Sequence, residues 1–229
     1  MIRRREDGEE LVIAGPDVAA AAAVLADAFA DDVLDPEARG RVVLAATHHA
    51  DGWRDGDEPA EAWRRSCEVV AGVDAWAGLL CCVMYLHRGG RLATGAGEAD
   101  TVAGRQRHFG IVRFEHRLAE LIYELRPTCG LRVDRPTLRG LADGWADDGE
   151  RRLAREAVML SAACDLATFV AEAKPSAVVP FPGGDLHVRR PTRRRGLVNP
   201  WPFAGQAVEL PLGYAVGGER RVLDVLVTP

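Results

Sequence analysis

The residues best suited to chemistry gather in one segment, Ala45-Ala46-Thr47-His48-His49-Ala50-Asp51-Gly52-Trp53. Imidazole and carboxylate are common donors to a divalent metal, and the carbonyl-rich C-terminus of a helix favours a cation. The same groups suit proton transfer. The structural alternative is that His48 faces solvent while His49 packs and donates to a backbone carbonyl. The pair by itself leaves both open. Asp165 lies in Met159-Leu160-Ser161-Ala162-Ala163-Cys164-Asp165-Leu166, an otherwise apolar run. A carboxylate there must be paired if it is buried, and an Arg or a backbone amide would do that as a purely structural device.

Arg189-Arg190 and Arg193-Arg194-Arg195 form the one dense basic cluster. Guanidinium forks match phosphate geometry, but a solvated loop offsetting an acidic body is the plainer expectation. Gly95-Ala96-Gly97 has no following Lys-Ser or Lys-Thr and no preceding strand, so it is not a phosphate loop. No Gly-x-Ser-x-Gly elbow occurs. His116 falls on the polar side of its helical pattern and His108 follows an Arg-rich stretch, so both are expected at the surface.

These residues need elements to position them. Asp7-Gly8 between short extended runs predicts a hairpin over 2–14. Helical patterns cover 18–30, 39–49, 61–70 and 75–87, with Pro16-Asp17, Asp35-Pro36 and Asp74 as start signals and Gly89-Gly90 as a stop. Residues 91–104 are rich in Gly, Ala and Thr and predict a mobile loop. The pattern over 111–125 is strongly amphipathic, a short helix is expected near Leu138, and 150–174 is the longest helical run, closed by Pro175. Pro180 to Pro202 is rich in Pro, Gly and Arg. Two strands, 207–215 and 221–227, then flank Gly217-Gly218.

At 229 residues the chain is expected to be one domain over 1–229, with a helical body of about 16–174 and a sheet from about 2–14 and 207–227. A net charge of −5 argues against a nucleic-acid binder, which needs surplus Lys and Arg. The apolar run Ala75 to Leu86 is too short to span a bilayer, so no membrane is expected as partner. The segment after Arg3-Arg4-Arg5 lacks the apolar stretch of a secretory signal. Five cysteines, two of them adjacent at Cys81-Cys82 and none in a Cys-x-x-Cys pair, read as reduced thiols in a cytoplasm.

Five segments in order resemble a bacterial family described only as a domain of unknown function. They are Pro16-Asp17, His49 with Gly52-Trp53, Asp74 with Ala77, Leu79 and Leu80, Cys164-Asp165, and Asn199-Pro200-Trp201-Pro202-Phe203. The family pattern is similar to that of HD-type helical proteins, which hold one or two metals with His and Asp. Many of those are phosphohydrolases, and some are di-iron oxygenases. The resemblance implies a mainly α (α+β) fold: an HD-like helical bundle with a small antiparallel sheet from the N-terminal hairpin and the C-terminal strands. It also implies that His49 and Asp165 face each other as an acid–base pair. Val18, Ala50 and Met84 stand where the pattern has metal-binding His, Asp and His. Two protein donors fall short of the three or four a stable site needs.

The expectation is therefore a small-molecule pocket lined by Val18, Cys81, Met84 and Trp53, with His49 and Asp165 as its polar groups and no cofactor. One alternative is a hydrolase or oxygenase holding Fe, Mn or Zn through His48, His49, Asp51, His87 and Asp165. Another is a non-catalytic interaction protein. A homo-oligomer is left open.

Overall fold

The computed structural model describes residues 1–6, 8–53, 59–94, 118–131 and 148–229, with the backbone alone at 59–60 and 87–94. The expected short helix near Leu138, the start of the amphipathic run at 111–117, His108, His116 and Gly95-Ala96-Gly97 lie outside the described residues. The chain divides into two compact units. The sheet unit comprises Met1–His48 and Val158–Pro229, and the helical unit comprises His49–Ala157.

The sheet unit begins with the expected hairpin, β1 (Ile2–Glu6) and β2 (Glu9–Ile13), paired antiparallel from Ile2↔Ile13 to Glu6↔Glu9. Two helices follow. In α1 (Gly15–Ala28) Pro16 stands in the first turn, where its missing N–H costs nothing. In α2 (Pro36–His48) the Asp35 carboxylate accepts from Ala38 N at 2.9 Å, the capping bond the sequence predicts. Ala19, Ala21, Ala22 and Ala26 are buried on α1, and such small side chains permit close packing. The Pro-Trp-Pro-Phe segment is pinned to the end of α1. Phe203 stacks on Phe29 at 5.2 Å, Trp201 meets Phe203 edge-on, and Ala30 N donates to Pro202 O.

Five further strands complete this unit: β3 (Ser176–Val179), β4 (Leu186–Thr192), β5 (Arg195–Asn199), β6 (Val208–Val216) and β7 (Glu219–Thr228). They join the hairpin in one seven-stranded sheet of order β1-β2-β6-β7-β5-β4-β3. All neighbours are antiparallel except β5 and β7. Gly217 and Gly218 link β6 to β7 at φ of 56° and 89°, a left-handed pair that side chains with a Cβ resist. Strand residues alternate between a buried face, with Leu11, Ile13, Leu186, Val188, Leu210, Leu212, Leu223 and Val225, and an exposed one.

This sheet overturns the expectation of a mainly helical, HD-like bundle with a small sheet. The protein is a mixed α/β structure with a large curled sheet. Strands β4 and β5 lie within Pro180 to Pro202, the stretch rich in Pro, Gly and Arg, and β3 just before it; none of the three was expected. Pro180 and Pro200 lie outside the strands, and Gly183-Gly184 lie in the turn between β3 and β4. Pro191 falls where the β4–β5 register shifts, between Arg189 and Thr192, an irregularity that tolerates a missing N–H. The basic cluster is accordingly not a solvated loop. It occupies β4, β5 and their turn.

The curl is measurable. Glu6 in β1 lies 3.7 Å from Arg190 in β4, yet four strands separate β1 from β4 in the ladder. Five interstrand steps in a flat sheet would span roughly 24 Å. Only strong curvature toward the buried face closes that gap.

The helical unit holds α3 (Pro59–Ala71), α4 (Ala75–Thr94), a helical stretch at 118–125, and the first part of α5 (Asp148–Glu172), which contributes residues to both units. Asp74 caps α4 through Ala77 N at 2.7 Å, as predicted. Residues Leu79 to Leu86 are all buried. The helix continues through Gly89-Gly90 to Thr94, past the expected stop. Glycine costs a helix about 1 kcal/mol, a preference that packing elsewhere on the helix overrides. Trp76 Nε1 and Arg152 Nε both donate to the buried Glu156 carboxylate at 2.7 Å, tying α4 to α5. Among the described residues no helix is long and apolar enough to cross a membrane.

Candidate functional site

Residues His49 to Trp53 form a clamped turn at the start of the helical unit. Trp53 N donates to Ala50 O at 3.2 Å and closes the turn. Gly52 is held from both sides of its peptide. Its N–H donates to Ser66 Oγ at 3.1 Å, and its carbonyl accepts from Arg65 Nη1 at 2.8 Å. Ser66 Oγ in turn donates to Ala62 O at 2.9 Å. A Cβ on residue 52 would stand 2.3 Å from Ser66 N and 2.7 Å from Ala62 O. The glycine is therefore required by close approach to the backbone of α3.

A run of rings continues from this turn. Trp53 meets Trp63 of α3 edge-on, with centroids 6.2 Å apart. Trp63 stacks on Tyr85 of α4 at 5.2 Å and 23°. Tyr85 OH donates to the His49 carbonyl at 2.5 Å, and its ring lies 6.5 Å from the His49 imidazole. His49 is 7% exposed, whereas Trp53 keeps 42% of its surface in solvent. Two α-helices, a tight turn and the rings of Trp63 and Tyr85 thus fix one buried imidazole and one exposed indole.

The other predicted residues distribute as follows. Cys81 and Met84 are fully buried on α4, in the same unit as His49 and Trp53. Val18 is buried on α1, and Val18, His48 and Asp165 belong to the sheet unit. Asp165 is half-buried on α5, and Asp51 is exposed. The His87 side chain lies outside the described residues. Among the described residues no three His, Cys, Asp or Glu side chains form a group that could hold a metal ion.

Trp63, Tyr85, Arg65 and Ser66 were missed as site residues. Tyr85 did carry a signal: a tyrosine inside an otherwise apolar helical run must bring its hydroxyl to a partner. Trp63 carried none beyond its helical spacing.

None of the five cysteines is in a disulfide. Burial pushes the Cys67 thiol well above its ordinary value, and hydrogen bonding to Cys82 adds to the shift. Such thiols stay neutral and unreactive.

No protein-family model matches the chain, and neither a curated protein nor a solved structure matches it.

Proposed function

We propose that this chain is a small-molecule-binding protein whose site is the ring-walled turn at His49–Trp53. The observation that carries this proposal is Trp53. An indole left 42% exposed is a contact surface available to a ligand. Trp63 holds it edge-on and the Gly52 clamp fixes its backbone, so little side-chain freedom is lost on binding. Such a platform suits a planar, ring-bearing ligand, since offset stacking on an aromatic face contributes about 1 kcal/mol beyond area burial. His49 is the polar group of this turn, and acid–base chemistry on a bound ligand would need this imidazole. The motif likeness to the family of unknown function adds support, because Gly52-Trp53 and His49 belong to the matched segments.

Ligand-observed NMR with a panel of ring-bearing metabolites tests the proposal. Binding is expected for the unaltered protein and is expected to vanish in Trp53→Ala. Hits that survive Trp53→Ala with unchanged affinity would overturn it.

A further inference from the structure

The curl of the sheet brings charged groups together in a place the ring-walled turn does not share. Ile2, Arg4 and Glu6 lie on the buried face of β1, as their register with Ile13, Leu11 and Glu9 requires. The Glu6 carboxylate accepts from Arg4 Nη2 at 2.8 Å and lies 3.7 Å from Arg190 Nη2 and 3.4 Å from Arg193 Nε. The Arg4 and Arg190 side chains are only 8% and 5% exposed. Arg193, at 31%, marks the solvent side.

Two buried cations therefore share one carboxylate, and Arg193 adds to their field. Buried charges are costly unless paired and fully hydrogen-bonded, and these are not. Arg4 Nη1 donates to Val170 O and Ala171 O at the end of α5, and Arg190 Nη2 donates to Arg193 O. The Nε–H groups of Arg4 and Arg190 are buried and have no hydrogen-bond partner among the described residues. Burial and the neighbouring guanidinium groups pull both pKa values down, the response of cations held together without enough counter-charge. The arrangement is a rigid set of donors with positive charge to spare.

We propose that the Arg4–Glu6–Arg190 seam, entered past Arg193, binds a phosphate group. A phosphate oxygen accepts from several N–H groups at once, and its charge matches the surplus. The Arg4 and Arg190 guanidinium groups are largely buried and the chain is acidic, so a small phosphate species fits better than a polyanion. The proposal is independent of the ring-walled turn.

Calorimetric titration with inorganic phosphate, and separately with glycerol 3-phosphate, at constant ionic strength tests it. The unaltered protein is expected to bind at least one of the two with Kd of about 1 mM or tighter. Stronger binding of the ester would identify an esterified phosphate as the ligand, and stronger binding of phosphate the free ion. Glu6→Gln removes the competing carboxylate and should tighten binding about tenfold, a gain that a misfolded variant cannot show. Arg190→Gln should weaken it about tenfold. Arg190→Lys, which keeps the charge but loses the fork, should weaken it less. Absence of binding of either probe by the unaltered protein, or equal affinities in Glu6→Gln and Arg190→Gln, would overturn the proposal.

Discussion

The seam of the curled sheet and the turn at His49–Trp53 treat buried polarity in opposite ways. In the turn, the peptide groups of Gly52, the Ser66 hydroxyl and the Tyr85 hydroxyl all find partners within a few residues of each other in space. What the turn leaves open to solvent is aromatic surface. In the seam, two guanidinium groups are buried around one carboxylate and keep N–H donors unmatched among the described residues. What remains there is charge. One site is thus completed by its own chain and offers a face, while the other leaves donors unmet and calls for an anion. A satisfied polar network stiffens a fold, whereas an unsatisfied one marks strain or a missing group.

Three measurements can break or sharpen this contrast. The largest effect is expected at Gly52. Gly52→Ala drives a methyl group into the backbone of α3, and a loss of about 4 kcal/mol is expected in urea unfolding. An alanine tolerated at that position would show that the turn is not rigid, and the platform argument for Trp53 would fall with it. Glu6→Ala comes next, with an expected loss of about 2 kcal/mol, because it strands Arg4 and Arg190 without their carboxylate. Added phosphate should restore part of that loss in a thermal melt. A variant as stable as the parent would mean the seam does not depend on its counter-charge.

The smallest effect concerns pH. Cys67 has a folded-state pKa raised above the ordinary thiol value of 9.0. The unfolded chain therefore ionises first. Stability linked to this thiol is whole below pH 9.0 and is lost as pH rises from there toward the folded value. About 1 kcal/mol should go by pH 10. Cys67→Ala should remove this part of the pH dependence. If its unfolding profile between pH 9 and 10 parallels that of the parent, the thiol is not the titrating group.

Legibility in the sequence followed the range of the interactions. The Asp35 and Asp74 caps, the first hairpin and the Gly217-Gly218 turn were all readable, because each depends on residues within a few positions. Three strands were not. The alternation Leu186, Val188 reaches the buried face and then presents Arg190, so the apolar pattern breaks where the chain enters the charged seam. A basic side chain on a buried face reads as loop unless its partner is known. Glu6 has the converse problem: as one charge among many in Arg3-Arg4-Arg5-Glu6 it looks like surface. For the turn, His49, Gly52 and Trp53 were readable from their spacing, but the ring stack through Trp63 and Tyr85 was not.

By itself the sequence determined where helices start and where the two tight hairpins turn. These are choices of local dihedral preference and capping, and they are written in adjacent residues. Only the tertiary structure decided that β1 and β4, remote in the chain and in the ladder, meet across the curl. It also decided which rings of α3 and α4 back the turn. Sheet curvature and helix docking arise from the summed packing of many distant side chains, and no local pattern encodes that sum.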